Sequence, residues 1–243
     1  MTERRFDRVV DFLGVENHKR LMKARIAVIG LGGVGCHAAI GLARCGAGTL
    51  RLVDFDLLTE TSLNRNPIAG LSDIGKPKVE VLASQLRGTC PNTEIETLVE
   101  FFHEDTASKI LDPPPDIVID AIDSLNPKVA LLEYCISKQI PVVSSMGASG
   151  RRDPSLVRSG DISQTKNCPL ARQLRKYLRK RGISEGFQCV YSVESAGEHA
   201  LPPDLADQTL QRGRIRNRIP SLITMPGIFG YALVGLVLDF LEE

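Results

Sequence analysis

The 243-residue chain lacks the sequence features that mark several classes of protein. Its six cysteines are far apart and form no C-x-x-C pair, which argues against a disulfide framework and against a four-cysteine zinc site. The polar segment 1–8 contains no apolar stretch, so a secretory signal is not predicted. We therefore expect a reducing, cytoplasmic compartment and no structural zinc.

The sequence also has no uninterrupted apolar run of the length that a membrane helix needs. Residues 219–238 carry no charge, but Pro220 and Pro226 interrupt them. The continuous part, 228–241, has the length of one core helix. We therefore expect a buried C-terminal helix, with peripheral membrane attachment through this helix as the alternative.

Short apolar runs alternate with helix-like segments along the first 145 residues. Strands are expected at 26–29, 49–54, 94–99, 116–121 and 141–145, and helices at 16–22, 34–45, 76–88, 104–111 and 126–138. The runs 117–119 and 142–143 are apolar without alternation, as expected of strands that are covered on both faces. This pattern predicts a doubly wound, Rossmann-like α/β fold with a mainly parallel sheet.

A glycine-rich turn follows the first expected strand and opens the next helix. The turn contains Gly30, Gly32, Gly33 and Gly35, and Asp54 follows the second strand. Such glycines permit a tight turn, a close approach of backbone to phosphate, and close packing of the helix on the strand. The helix N-terminus favours an anion, and the acid can hold ribose hydroxyls. The segment therefore predicts a nucleotide site.

Charged residues follow the other strands at the edge where ligands bind in such sheets. Lys78 can neutralise an α-phosphate, and the fork of Arg65 suits the terminal phosphates. A carboxylate at the end of a strand can hold Mg²⁺. This set favours nucleotidyl transfer over hydride transfer.

The chain resembles the E1-like superfamily, which includes the ThiF, MoeB and HesA proteins. The resemblance is carried by six motifs in order, which are Arg5-Phe6-Asp7-Arg8, the 30–35 turn, Asp54-x-Asp56, Asn64-Arg65, Gly75-x-x-Lys78 and Asp120-x-x-Asp123. It implies that ATP adenylates a carboxylate and that pyrophosphate leaves.

The same resemblance implies roles for individual residues. Asp54 would bind the ribose, Arg65 and Lys78 the phosphates, and Asp123 a Mg²⁺ ion. Arg8 would enter the ATP site of the other subunit of a homodimer. Asp56 and Asn64 are included in the nucleotide site because they belong to the same motifs.

Within the superfamily, the chain is most similar to the tRNA threonylcarbamoyladenosine dehydratases. Segments 120–135, 141–150, 169–171 and 189–194 carry this similarity. It implies that a carboxylate on an adenosine of the tRNA anticodon loop is activated and cyclises. The sequence departs from that pattern at Ser62, where Asn is usual, and at Asn66, where Gln is usual.

Two other functions stay open on the sequence. The chain could instead adenylate the C-terminal Gly-Gly of a ubiquitin-like sulfur-carrier protein, or bind ATP as a scaffold without catalysis. If the chain is a tRNA-modifying dehydratase, a sulfur-acceptor protein of a cysteine desulfurase system is a further expected partner.

The last third of the chain is basic. Residues 151–181 contain ten lysines and arginines against two acids. A helical face is expected from Arg172, Arg175, Lys176, Arg179 and Lys180, and a second run follows at Arg212, Arg214, Arg216 and Arg218. Clustered cations of this kind suit a phosphate backbone, so we expect contact with tRNA.

Cys189 has two interpretations. E1-like enzymes often carry a reactive cysteine in a crossover loop, and Cys189 follows the loop-like segment 182–186. The alternative is an ordinary strand residue, because 188–193 has strand composition. On composition we divide the chain into an N-terminal helical arm (1–24), an ATP-binding body (25–150), a basic extension with the crossover region (151–218) and a C-terminal core helix (219–243).

Overall fold

The computed structural model describes residues 4–195 and 219–242, and within them one seven-stranded sheet forms. Its strands are β1 (Arg25–Ile29), β2 (Thr49–Val53), β3 (Glu94–Leu98), β4 (Ile117–Asp120), β5 (Val142–Ser145), β6 (Val157–Asp161) and β7 (Gln188–Ser192). The strand order is β3-β2-β1-β4-β5-β7-β6. Every neighbouring pair is parallel except β6 with β7. The expected doubly wound, mainly parallel sheet is confirmed.

Helices cover both faces of the sheet. The described α-helices are α1 (Asp7–Leu13), α2 (Val15–Lys23), α3 (Gly33–Cys45), α4 (Lys78–Thr89), α5 (Glu104–Leu111), α6 (Leu125–Ser137), α7 (Pro169–Arg179) and α8 (Thr224–Glu242). Helices α3, α4 and α8 pack on one face, and α5, α6 and α7 pack on the other. In β1, Ile26 and Val28 point to the first face, whereas Ala27 and Ile29 point to the second. The strand is apolar throughout because both faces are buried.

The order of the strands fixes where a ligand can bind. Strand β1 lies between β2 and β4, so the chain winds outward to β3 and then outward again from β4 in the opposite direction. In open α/β sheets, the crevice at such a reversal, beyond the carboxyl ends of the strands, is the usual ligand site. The glycine turn after β1 and the 121–124 turn after β4 both lie there.

Two elements were not expected from the sequence. Helix α1 is a short, mostly exposed helix in which only Leu13 is buried, so its apolar pattern is too brief to detect. Strand β6 is an edge strand of mainly polar residues, none of them fully buried, without the apolar run of a buried strand. Because β6 and β7 join the same sheet as β1–β5, the described part of the basic extension is continuous with the body.

Helix α8 begins at Thr224, four residues before the expected start at 228. Pro226 is accommodated because it lies in the first turn, where a backbone N–H has no partner within the helix. By length and composition α8 could cross a membrane, but its buried residues pack against α3. The backbones approach closely, since a Cβ at Gly230 would lie 2.6 Å from the Val34 carbonyl oxygen. The second basic run, 212–218, lies outside the described residues.

Candidate functional site

The glycine turn has the backbone geometry that its sequence requires. Gly30 adopts a φ of +93°, a conformation that side chains rarely permit. A Cβ at Gly35 would lie 1.8 Å from the Gly30 carbonyl oxygen, so only glycine fits at this position in the first turn of α3. In contrast, a Cβ at Gly32 would have no heavy atom within 4 Å. Gly32 therefore faces open space, as expected if a ligand approaches this backbone.

Gly33 connects the turn to a distant part of the chain. A Cβ at Gly33 would lie 2.8 Å from Pro226 Cβ in α8 and 3.3 Å from the Arg65 carbonyl oxygen. The N-terminus of α3 is thus enclosed by the first turn of α8 on one side and by the Arg65 backbone on another.

Asp54, at the end of β2, is hydrogen-bonded to the turn after β1 and to its own loop. One carboxylate oxygen accepts the Leu31 N–H at 2.5 Å, and the other accepts the Asp56 N–H at 2.8 Å. Burial raises the pKa of Asp54, and the neighbouring Lys78 ammonium opposes this shift. A carboxylate has about four acceptor positions, so Asp54 can still accept hydroxyl groups while it holds the glycine turn in place.

Lys78 lies at the start of α4 and points back toward the β2 loop. Its Nζ donates to Asp56 Oδ2 at 2.6 Å, and its side chain is only 12% exposed. Burial alone would lower the pKa of Lys78, but the charges of Asp54, Asp56 and Asp123 hold this pKa above its usual value. The ammonium group is therefore charged and fixed before any anion arrives.

Arg65 and Asn64 lie in the loop that follows β2. Arg65 Nη1 donates to the Thr61 carbonyl at 2.7 Å and to Asn64 Oδ1 at 3.0 Å. Asn64 Nδ2 donates in turn to the Ser221 carbonyl at 2.9 Å, which ties this loop to the segment before α8. The guanidinium is thus oriented through a chain of hydrogen bonds, and the Arg65 backbone lies against the glycine turn at Gly33.

Ser62 and Asn66, which depart from the expected motif, both form hydrogen bonds within this loop. Ser62 Oγ lies 2.9 Å from Thr59 Oγ1. Asn66 Oδ1 accepts the N–H groups of Ile68 and Ala69 at 3.0 Å each. Its amide nitrogen faces Cys36 Sγ at 3.7 Å, under the first turn of α3. Ser62 and Asn66 therefore stabilise the loop that carries Arg65.

Asp123 lies three residues beyond the end of β4 and is exposed. Its negative charge is the smallest of the three that raise the pKa of Lys78. In the described parts of the chain, no three metal-ligating side chains cluster. Mg²⁺ usually takes one or two carboxylates together with substrate phosphates and water, so a single accessible carboxylate beside a phosphate cradle fits this ion.

A buried ion pair supports the turn that carries Asp123, and the sequence analysis assigned it no role. Lys128 Nζ donates to Asp120 Oδ2 at 2.6 Å and to the Ile122 carbonyl at 2.8 Å, and both charged side chains are fully buried. Ser144 Oγ of β5 donates to the same Asp120 oxygen at 2.6 Å. A lysine among the apolar residues of α6, eight positions after a strand-terminal acid, is the signal that would have predicted this pair.

Arg8 lies far from the glycine turn of its own chain. It is exposed on α1, and Phe6, two residues earlier, packs at the C-terminal end of α3, with its ring 3.0 Å from the position of a Cβ at Gly46. The glycine turn lies at the other end of this 13-residue helix, about 20 Å away at a rise of ~1.5 Å per residue.

Cys189 lies within β7 and is fully buried, with its Sγ 3.3 Å from the Gly160 carbonyl oxygen. Burial raises the pKa of its thiol to about 12. A neutral and inaccessible thiol is a poor nucleophile. The strand interpretation agrees with the structure, and these features argue against a reactive cysteine in a crossover loop.

Helix α7 carries most of the expected cationic face. Arg172, Lys176, Arg179 and Lys180 are exposed. Arg175 differs, since it is partly buried and donates to the Thr165 carbonyl at 3.0 Å. It therefore supports the turn before α7 and is not a full member of the exposed face.

Comparison with known proteins gives consistent matches over nearly the whole chain. The model of the ThiF family matches residues 6–243. A tRNA threonylcarbamoyladenosine dehydratase from Haemophilus influenzae is 36% identical over 242 residues, which cover 98% of this chain and 93% of that protein.

A longer relative and a solved structure extend this comparison. The tRNA threonylcarbamoyladenosine dehydratase 2 of Saccharomyces cerevisiae is 36% identical over 247 residues, which cover 96% of this chain but 55% of the yeast protein. This chain thus spans about half the length of that relative. The structure of the Escherichia coli tRNA N6-threonylcarbamoyladenosine dehydratase with ATP has a TM-score of 0.85 and 30% identity, and the match covers 98% of this chain and 93% of that one.

Proposed function

The chain belongs to the ThiF family, and from this premise we propose that it is an ATP-dependent tRNA threonylcarbamoyladenosine dehydratase. In this function, the carboxylate of the threonylcarbamoyl group on an anticodon-loop adenosine is adenylated. The activated group then closes into a cyclic form with net loss of water.

The arrangement of charge at the carboxyl ends of β1, β2 and β4 carries this proposal. The glycine turn after β1 has an open side at Gly32, Lys78 is fixed against Asp56 of the loop after β2, and the guanidinium of Arg65 is oriented within that same loop. Lys78 would stabilise charge that develops on the α-phosphate, and Arg65 would hold the phosphates that leave. Asp54 would accept the ribose hydroxyls. Such preorganised groups need no rearrangement when pyrophosphate departs.

We propose Asp123 as the residue that holds Mg²⁺ with the nucleotide. Its exposed carboxylate, in the turn that follows β4, supports this role. The ion would neutralise phosphate charge. The buried pair of Asp120 and Lys128 would keep the Asp123 turn in position.

We further propose that the active unit is a homodimer in which Arg8 serves the partner's ATP site. The distance of Arg8 from the glycine turn of its own chain supports a role in trans. A cytoplasmic location, and a sulfur-acceptor protein of a cysteine desulfurase system as a partner, complete the proposal.

The tRNA acceptor rests on the relatives' names and on the exposed cations of α7. Mass spectrometry of tRNA nucleosides from a deletion strain, prepared gently enough to keep the cyclic base, tests it directly. The cyclic nucleoside should disappear and its open precursor should accumulate. Unchanged cyclic nucleoside, together with ATP–pyrophosphate exchange driven by a small Gly-Gly-ended protein, would contradict the proposal and favour the sulfur-carrier function.

A further inference from the structure

We propose that a groove between α5, α6 and α7 binds an unpaired nucleobase of the tRNA anticodon loop, next to the adenosine that reacts. This inference rests on the proposed function and adds a location and a mode of contact. The bases of RNA loops can be splayed out and stacked on aromatic side chains, which is how most sequence-specific RNA recognition operates.

The groove lies on the face of the sheet opposite α3 and α8. Its volume is about 500 Å³, within the range of small-molecule sites, roughly 300–1,000 Å³. Apolar atoms form most of its walls. The lining residues are Phe101, His103, Glu104, Asn126, Pro127, Val129, Ala130, Tyr177 and Arg181.

Phe101, one of the lining residues, connects the groove to the loop that follows β2. The Phe101 ring lies edge-on against the Phe55 ring, with 4.9 Å between their centroids. Phe55 stands between Asp54 and Asp56, the two acids of the crevice. On the other wall, Asn126 follows Asp123 by three residues. An RNA loop that presents one adenosine to the crevice can therefore place a neighbouring base in the groove.

The groove combines stacking surfaces with groups that can read a base edge. Tyr177 and His103 are exposed rings that both line the groove. Glu104 can accept from an exocyclic amine, and the Asn126 amide can both donate and accept. Arg181 is oriented by a 2.6 Å contact from its Nε to Glu133 Oε2. These groups match the flat, polar-edged shape of a nucleobase.

The charge around Tyr177 selects RNA as the occupant. Lys176 precedes it, and Lys180 Nζ lies 5.6 Å from the centre of the Tyr177 ring. Arg172 and Arg179 extend the exposed cations along α7. Aromatic rings interspersed with cations are typical of single-strand binding sites, where bases stack and phosphates pair with the cations.

The test measures how tightly the full chain binds an anticodon stem-loop RNA that carries threonylcarbamoyladenosine. Binding is measured by fluorescence anisotropy of the labelled RNA. Tyr177→Ala should weaken binding about 5- to 150-fold, the effect of one lost stacking contact. Tyr177→Phe, which keeps the ring, should bind like wild type. Tyr231→Ala is the control, because Tyr231 is an exposed ring on α8, on the other face of the sheet. A double variant, Lys176→Gln with Arg179→Gln, should flatten the salt dependence by about 1.8 in log–log slope.

Each outcome bears on the groove separately from the overall function. Weaker binding for Tyr177→Ala, with Tyr231→Ala and Tyr177→Phe unchanged and ATP binding intact, supports the groove. If wild type binds the RNA and Tyr177→Ala binds equally well, the groove is refuted while the tRNA function stands. If wild type does not bind the RNA and pyrophosphate exchange responds only to a small Gly-Gly-ended protein, both proposals fall.

Discussion

Replacement of Lys128 by methionine should be strongly destabilising, because it removes one partner of a fully buried ion pair. The change leaves the Asp120 carboxylate with no countercharge and with only two of its hydrogen bonds, from Ser144 Oγ and the Ile122 N–H. Breaking a buried pair in this way typically costs about 3–5 kcal/mol. At roughly 2–4 °C per kcal/mol for a chain of this size, the Tm should fall by about 6–20 °C.

A second substitution separates the cost of an unpaired charge from the loss of packing. In the double variant with Lys128→Met and Asp120→Leu, no charge remains buried, and apolar replacement of whole buried pairs is often neutral. The double variant should therefore recover about 2 kcal/mol or more of the loss in Lys128→Met. Its 121–124 turn would still lack the contacts to Asp120, so adenylation should stay impaired although the fold is restored.

The measurement is urea and thermal unfolding without nucleotide, together with the ATP–pyrophosphate exchange rate. Lys76→Met serves as the control, because Lys76 forms an exposed pair with Asp73 and its loss should leave the Tm close to wild type. A Tm for Lys128→Met that equals that of Lys76→Met would refute the argument. So would a double variant that is less stable than Lys128→Met.

Three further predictions concern the site itself. Lys78→Ala and Arg65→Ala should each lower the adenylation rate by about 10²–10³, the usual effect of losing one preorganised contact; rates within a few-fold of wild type would contradict their assigned roles. Mixing Arg8→Ala subunits with Asp123→Ala subunits should restore exchange activity through heterodimers with one intact site, whereas an inactive mixture of demonstrably exchanging subunits would exclude a role of Arg8 in trans. Folded protein should leave Cys189 unmodified by iodoacetamide at pH 8, because burial raises its thiol pKa to about 12, and mass spectrometry showing rapid labelling would contradict this.

The glycine turn and the parallel strands could be predicted because their causes are local. Gly30 is required by its positive φ, and Gly35 by the Gly30 carbonyl five residues earlier. The apolar run 26–29 indicates a strand that is buried on both faces. The residues that follow β1, β2 and β4 could be brought together because the fold class fixes which strand ends meet.

The parts that could not be predicted depend on partners far away in the chain. The strand Val157–Asp161 has no apolar pattern and exists because β7 supplies its hydrogen bonds. The pairing of Lys128 with Asp120 requires knowing how α6 packs against β4 and β5. Arg175 belongs to the cationic helix by spacing, but the turn at Thr165 withdraws it from the surface.

The contact between Gly33 and Pro226 has a consequence for the order in which the nucleotide site forms during protein synthesis. The nucleotide turn forms from residues near position 30, yet one wall of it is Pro226, and the loop of Arg65 is tied to Ser221. During translation, β1, the glycine turn and α3 therefore leave the ribosome long before α8, the helix that encloses the turn. A nascent chain stalled after Ser195 should release ATP readily, and one extended through α8 should retain it. Nucleotide capture would then await the synthesis of α8.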